Sequence, residues 1–381
     1  MRTFRVAITC YPTAGGSGVV ATELGLELAR TGHEVHFVTS ALPVRLRSFD
    51  KNVYFHQVDT HFYPLFLDAP YSLSLAAKMA EVAESHSIDV LHVHYAIPHA
   101  ASAYLARSMV SSRRLATVTT LHGTDITLVG REPSFYRITK FCIEASDAVT
   151  AVSEHLKART EESFDTRKEI EVIPNFIDGS KFRPDGATVP KQFFCPDSQP
   201  LLMHISNFRP VKNIATVIQV FSRVRARTGA RLALLGDGPE RLPAERLSAQ
   251  LGVDRDVMFL GNQECIEGIL PLADVLLQPS EQESFGLVCL EGMSCGVPAI
   301  ATNVGGPKEV VEHGRTGFLH DPFDVDGMAA SILELVSDPG RRRAMGEAGR
   351  KVALDKFSTS DVVKKYVGVY ERVCAAGSPA R

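Results

Sequence analysis

Three groups of residues in this sequence could do chemistry. The first is Gly15-Gly-Ser-Gly18, which follows an apolar run and opens an amphipathic one. Glycines at a strand-to-helix turn let the backbone approach a ligand, and the first N–H groups of a helix suit an anion. Gly16, Gly18 and Ala21 even match the dinucleotide pattern G-x-G-x-x-A. That pattern needs an acidic residue at the end of the next strand to hold a ribose. Thr39 and Ser40 stand there, and Asp50 is too far along, which argues against a nicotinamide cofactor. A tight turn without a ligand is the other reading of this loop.

The second group is Asn207-Phe-Arg-Pro-Val-Lys-Asn213. Arg209 and Lys212 fall between an apolar strand and a helix. Two cations beside a helix start can neutralise a diphosphate, where a lone surface pair would simply be solvated. The third group runs from Glu283 to Glu291, ESFGLVCLE. A helix beginning near Ser284 would place Glu291 about two turns in. A carboxylate among Leu287, Val288, Leu290 and Met293 is costly unless partnered, by a ribose diol or by a cation elsewhere in the fold. Glu283, in the loop, could hold sugar hydroxyls. Gly305-Gly-Pro-Lys-Glu309 and His313-Gly-Arg-Thr-Gly317 read as further loops at strand-to-helix junctions.

Other patterns point elsewhere. His92, His94 and His99 have metal-ligand spacing, with no adjacent Cys or carboxylate cluster to complete a site. Asp254-Arg-Asp256 precedes a strand and Asp324-Val-Asp326 opens a helix, so turn and cap roles are expected, with Asp326 as the N-cap. Arg107, Arg113 and Arg114 read as a solvated helix face. No G-x-S-x-G or P-loop lysine motif is present.

These groups need elements to hold them. Strands are expected at Phe4–Thr9, Val35–Thr39, Val90–Val93, Ala116–Leu121, Ala148–Val152 and Ile170–Ile173. Helical periodicity lies between them, in Gly18–Arg30, Leu73–Ser85 and His99–Met109. Residues 171–200, rich in Pro, Asp, Gly and Ser, read as an inter-domain connection. A second series follows at Leu201–Ser206, Arg231–Leu235, Val257–Leu260, Val275–Gln278, Pro298–Thr302 and Gly317–Leu319, with helices over Asn213–Arg227 and Asp326–Val336. From Pro339 to about Val373 the pattern is helical throughout. The reading is α/β, with a Rossmann-like domain over 1–170 and another over 201–356. A helix over 357–374 is free to return to the first domain, and 375–381 form a tail. Two doubly wound parallel sheets facing a cleft would put ligands at the carboxyl ends of their strands.

Size and composition agree. The chain has 381 residues, 45% of them hydrophobic, enough for two cores. Lys plus Arg number 41 against 44 Asp plus Glu, a net charge of −3, which gives no support to a nucleic-acid binder. Seven cysteines without a CxxC pair suggest a reducing compartment. With no leader-like start and no membrane-length apolar run, a cytoplasmic protein without a membrane partner is expected. A homo-oligomer stays open.

Taken together, the glycine loop, Arg209 with Lys212, Gly236-Asp-Gly-Pro239, the Glu283–Glu291 pair and His313-Gly-Arg-Thr-Gly317 resemble, in order, the retaining glycosyltransferases of family 4, which have the GT-B fold. Thr9-Cys-Tyr-Pro-Thr13, Gly16-Ser-Gly-Val-Val-Ala-Thr-Glu-Leu-Gly25, His92-Val-His-Tyr-Ala-Ile-Pro-His-Ala100 and Thr119-Thr-Leu-His-Gly-Thr-Asp-Ile126 are similar to the branch that glycosylates L-malate at the start of bacillithiol synthesis. The resemblance implies UDP-N-acetylglucosamine as donor, L-malate as acceptor, and no metal or other cofactor. It implies that Gly15 and Gly16 approach the diphosphate, that Arg209 and Lys212 bind it, that Glu291 holds the ribose and Glu283 the sugar. Phe285, Gly286 and Leu287 would line the donor, Gly261 to Glu264 the base, and His122 the transferred sugar. Ser17, Tyr95, Thr120 and Arg209 are the candidates for the malate carboxylates. Another small or lipid acceptor, or a non-catalytic nucleotide-sugar-binding protein, is the alternative.

Overall fold

The computed structural model describes residues 2–13, 15–46, 50–60 and 69–376. The chain divides into two units, 1–175 with 359–381, and 176–358.

The first unit is a seven-stranded, wholly parallel sheet. Its strands are β1 (Arg5–Thr9), β2 (Glu34–Thr39), β3 (Val53–Gln57), β4 (Val90–His94), β5 (Ala116–Leu121), β6 (Ala148–Ala151) and β7 (Ile170–Val172), in the order β3-β2-β1-β4-β5-β6-β7. The second is a six-stranded parallel sheet of β8 (Leu201–Ile205), β9 (Arg231–Leu235), β10 (Val257–Gly261), β11 (Val275–Gln278), β12 (Ala299–Thr302) and β13 (Gly317–His320), in the order β10-β9-β8-β11-β12-β13. Parallel strands covered by helices on both faces must be apolar throughout rather than alternating. VLHVH in β4 and LLMHI in β8 are buried at every position. In each sheet the strand order reverses once, between β1 and β4 and between β8 and β11. Such a reversal splays the loops apart and leaves a crevice at the strands' carboxyl ends.

All the expected strands form, and β3 is additional. It is a short, half-exposed edge strand with no buried apolar run to announce it. Helix Ile214–Thr228 buries Ile214, Val217, Ile218, Val220, Phe221 and Val224 against Met328, Ile332 and Leu335 of helix Val325–Ser337. Each such side chain contributes about 1.5–3 kcal/mol on burial. In the first unit, Leu75, Met79 and Val82 pack with Ala103 and Ala106.

The structure differs from the sequence reading at several boundaries. Helix Gly16–Arg30 starts two residues early, so Gly16 and Ser17 lie in its first turn and Gly15 is its N-cap. The C-terminal helical stretch breaks at Phe357–Ser358 into Pro339–Lys356 and Thr359–Ala375. The latter belongs to the first unit, where Val362, Val363, Tyr366, Val369 and Tyr370 form its buried stripe. Residues 176–200 are packed into the second unit: Phe182, Phe194 and Cys195 are buried, and Ser294 Oγ donates to the Phe182 carbonyl at 2.7 Å. Asp324, not Asp326, caps helix Val325–Ser337, accepting from Gly327 N at 2.9 Å. Arg107, Arg113 and Arg114 are not a solvated face. They ion-pair with Asp147 and Asp89, whose carboxylates also accept from Thr117 N and Arg5 N and so hold the amino ends of the strands. Of the tail, residues 377–381 lie outside the described residues.

Candidate functional site

Each unit gathers polar groups at its strand-order reversal. In the first unit, the first turn of the helix after β1 supplies Ser17 and the loop after β4 supplies Tyr95. Their hydroxyl oxygens are 2.8 Å apart, so the bond spans the crevice between these two segments. Gly18 is required in the same turn, because a Cβ there would meet the Tyr11 carbonyl at 2.5 Å and that of Thr13 at 2.6 Å. Tyr95 sits at φ 95°, a strained setting for a side-chain-bearing residue that surrounding bonds must enforce.

Those bonds come largely from Asp125. Its carboxylate is buried and accepts from Ala96 N at 2.9 Å, Gly123 N at 2.9 Å and His122 N at 3.3 Å. One side chain thus pins the loop after β4 to the loop after β5, fixing Tyr95 and His122 together. Burial raises its pKa to about 6 against the pull of those N–H groups. His122 Nε2 lies 2.8 Å from His94 Nδ1, and the two rings stack at 5.0 Å. Behind them, His92 bonds Tyr370 Oη at 2.7 Å and Thr120 Oγ1 at 2.8 Å, and Thr120 bonds Thr150 at 2.7 Å. Burial lowers His92 and His122 to about 3 and His99 to about 4, and pushes His94 well below its ordinary value, so all four rings are neutral at pH 7.

In the second unit the loop after β8 carries Arg209 and Lys212, and the loop after β11 carries Glu283. Lys212 Nζ lies 2.6 Å from Glu283 Oε2, again across the reversal. The loops are also tied by Glu281 N donating to the Val211 carbonyl at 2.9 Å. Arg209 is exposed, and its guanidinium makes no hydrogen bond or ion pair with any described residue. A solvent-accessible pair such as Lys212–Glu283 contributes at most about 1 kcal/mol, so a ligand bearing phosphates and hydroxyls can separate it. Beneath these loops His204 is buried, bonded to Ser206 Oγ and to the Leu277 carbonyl, both at 2.8 Å, and burial lowers it to about 4.

Two glycines set the shape of this crevice. Gly236 follows β9 at φ 121°, and a Cβ there would fall 1.7 Å from the Ser206 carbonyl oxygen. Gly305 follows β12 at φ 78°, with the Glu283 carbonyl 2.2 Å from its would-be Cβ. The neighbouring backbones therefore lie flat on the loops that carry the cations and Glu283. Gly236 N donates to the Gly261 carbonyl at 2.7 Å, which brings Gly261 to the same edge.

The helix after β11 begins at Leu287, after Gly286 at φ 99°, rather than near Ser284. Glu291 is therefore its fifth residue, about one turn in, and is buried, as is Phe285. Thr120 is corrected as an acceptor group: its hydroxyl is fully buried and already bonded to His92 and Thr150, so it supports the site from behind. The loop His313-Gly-Arg-Thr-Gly317 precedes β13, a helix-to-strand junction, and closes on itself: Gly314 N donates to the Gly317 carbonyl and Leu319 N to His313 Nδ1. The set-aside histidines are neighbours, yet their bonds go to Tyr370, Thr120, His122 and the His94 carbonyl. Asp125 was missed. It stands in a Gly-Thr-Asp run, and a carboxylate in the first turn after the glycine that follows β5 was its available signal.

Two doubly wound parallel-sheet units in one chain are the architecture of the GT-B fold. Residues 14–181 match the model of Glycosyltransferase Family 4, and residues 187–352 that of Glycosyl transferases group 1. The N-acetyl-alpha-D-glucosaminyl L-malate synthase of Bacillus anthracis is 46% identical over 367 residues, 96% of either chain. In fold, sucrose-phosphate synthase from Thermosynechococcus elongatus matches with a TM-score of 0.81 at 21% identity, over 99% of this chain and 100% of the other. Anabaena Alr3699/HepE, solved with UDP and glucose, also matches at 0.81, with 20% identity, over 97% of this chain and 99% of the other. The chain belongs to glycosyltransferase family 4 and is a glycosyltransferase.

Proposed function

We propose that this enzyme moves N-acetylglucosamine from UDP-N-acetylglucosamine to the hydroxyl of L-malate with retention of configuration, the first step of bacillithiol synthesis. The observation that carries the reading is 46% identity, over nearly the full length, to a protein named for that synthesis. The Ser17–Tyr95 pair supports it locally: two hydroxyls held at one crevice suit a small, oxygen-rich acceptor. Arg209 and Lys212 take the donor diphosphate, Glu291 the ribose and Glu283 the sugar hydroxyls. Gly15 and Gly16, at the start of a helix, meet the phosphates with backbone N–H groups. Phe285, Gly286 and Leu287 line the donor, and Gly261 the base.

The transfer breaks the bond from the sugar's anomeric carbon to the β-phosphate oxygen and forms one to the malate hydroxyl oxygen on the same face. The departing phosphate oxygen takes the malate proton, so no side-chain nucleophile is used. Charge grows on UDP as the bond breaks, and Arg209 and Lys212 stabilise it there, which also makes a metal unnecessary for this step. His122, a neutral imidazole, serves as a hydrogen-bonding wall for the sugar. Arg209 is also a candidate partner for the malate carboxylates. We place the enzyme in the cytoplasm. Five of its seven cysteines are buried and no disulfide forms among the described residues, and no helix there is long and apolar enough to cross a membrane.

Incubation with UDP-N-acetylglucosamine and L-malate, followed by mass spectrometry, tests this. N-acetylglucosaminyl malate and UDP are expected in equal amounts. Turnover of other hydroxy acids or lipids with malate refused would overturn the acceptor.

A further inference from the structure

A second histidine cluster lies away from the polar loops, on the edge pair β2–β3 of the first unit. His36 is in β2, His56 in β3, and His86 at the carboxyl end of helix Tyr71–Ser85. His36 pairs with Tyr54 and Val38 with His56 in the register, so His36 and His56 share one face of the sheet. One ring nitrogen from each of the three histidines lies within 4.8 Å of the others. His36 Nδ1 is 2.9 Å from His56 Nε2, and the His86 ring centroid is 4.6 Å from that of His36 and 5.1 Å from that of His56.

The bonding of His36 fixes its chemistry. Its ring is fully buried, and Nε2 lies 2.9 Å from Glu34 Oε1. A carboxylate can only accept, so Nε2 carries the proton and Nδ1 turns a lone pair toward His56 and His86. Carboxylate, then imidazole, then an unprotonated nitrogen is the arrangement that orients a metal-bound histidine; here that nitrogen accepts from His56 Nε2. His86 follows the last turn of its helix, where backbone carbonyls favour positive charge.

We propose that His36, His56 and His86 bind one divalent cation of the zinc class, with Glu34 orienting His36 and water as the fourth ligand. Three imidazoles suit such an ion, and a fourth open position completes a tetrahedron. His56 need only shift its proton from Nε2 to Nδ1 to present its lone pair. The ion ties the edge strand β3 to β2 and to the helix end. Its role is that of a clamp on the first unit, separate from sugar transfer. Arg5, near Glu34, and Lys78 and Glu81, facing His56, are the other charges around it.

The test uses the full-length, chelator-treated protein. Titration with Zn2+ should give one ion per chain, and Co2+ should produce the visible absorption of a tetrahedral site. At about a hundredfold excess over Kd the first thermal midpoint should rise by roughly 5 °C. His86→Ala, at a helix end where the fold tolerates change, should abolish the site, and Glu34→Gln should weaken it roughly 10–100-fold. Cys265→Ser should leave it intact. Absence of stoichiometric binding, binding that survives His86→Ala, or binding with no rise in the midpoint would overturn the proposal and leave a stacked aromatic cluster.

Discussion

The two units solve the same positional problem with opposite electrostatics. Both place functional side chains on the loops flanking the strand-order reversal, and in both a side-chain bond spans it. In the first unit that bond joins two hydroxyls, Ser17 and Tyr95, backed by neutral histidines and the buried Asp125. In the second it joins charges, Lys212 and Glu283, beside the exposed Arg209. The interior beneath the first crevice is polar and closely hydrogen-bonded, while beneath the second it is chiefly aliphatic, with His204 as its histidine. A neutral, hydrogen-bonding crevice suits orienting an acceptor. A charged, solvent-accessible one suits a diphosphate whose charge grows during reaction.

The largest test of this contrast is Arg209→Ala. A charge-assisted contact is worth about 1.5–3 kcal/mol, so kcat/KM should fall by roughly 10- to 150-fold. The unfolding midpoint should hold, because the side chain bonds to no described residue. Steady-state kinetics with thermal unfolding reads both, and unchanged activity would remove Arg209 from the site. Asp125→Ala should do the reverse. It leaves three buried N–H groups without their acceptor, at a cost of about 1–3 kcal/mol to the first unit. Its midpoint should drop by several degrees, and kcat should fall because Tyr95 and His122 lose their common anchor. A stable Asp125→Ala protein would break the contrast.

Acid should separate the two units. His92, His94, His99 and His122 are depressed far below the 6.5 of the unfolded chain, so the stability they contribute is present above pH 6.5 and is lost progressively as pH falls toward 3. Asp125 has the opposite sign: raised to about 6, it favours the folded state as pH falls from 6 toward 3.8. With His33, His36 and His56 also lowered by burial, seven histidines stand against one carboxylate and leave the first unit acid-labile, whereas the second has His204 alone among its described histidines with a lowered value. The chain has no tryptophan, so hydrogen exchange by mass spectrometry is the suitable probe. The first unit should lose protection at a higher pH than the second, and simultaneous loss would contradict the account. The smallest effect is expected for Ser17→Ala. Losing one hydroxyl partner is worth about 0.5–1.5 kcal/mol, so KM for malate should rise roughly two- to tenfold with KM for the donor unchanged.

Much of the candidate site can be read from the sequence, for a local reason. Strand-to-helix junctions are marked by composition, and ligands of a doubly wound sheet bind at such junctions, so Gly15, Gly16, Arg209, Lys212 and Glu283 stand out as candidates from pattern, while Ser17 rests on the family resemblance. What escaped was non-local. Thr120, inside the expected strand Ala116–Leu121, stands as an acceptor candidate until β5 is seen between β4 and β6, where His92 and Thr150 claim its hydroxyl. Asp125 reads as a polar loop residue until the β4 loop is brought against it.

By itself, the sequence determined the α/β class and two successive strand–helix series, because apolar periodicity and glycine placement are properties of short stretches. Only the tertiary structure decided that Lys212 and Glu283 pair, that Tyr370 returns from the C-terminal helix to bond His92, and that three histidines far apart in the chain meet on β2 and β3. Those contacts depend on strand order and helix docking, which are settled by how buried surfaces fit together across the whole unit.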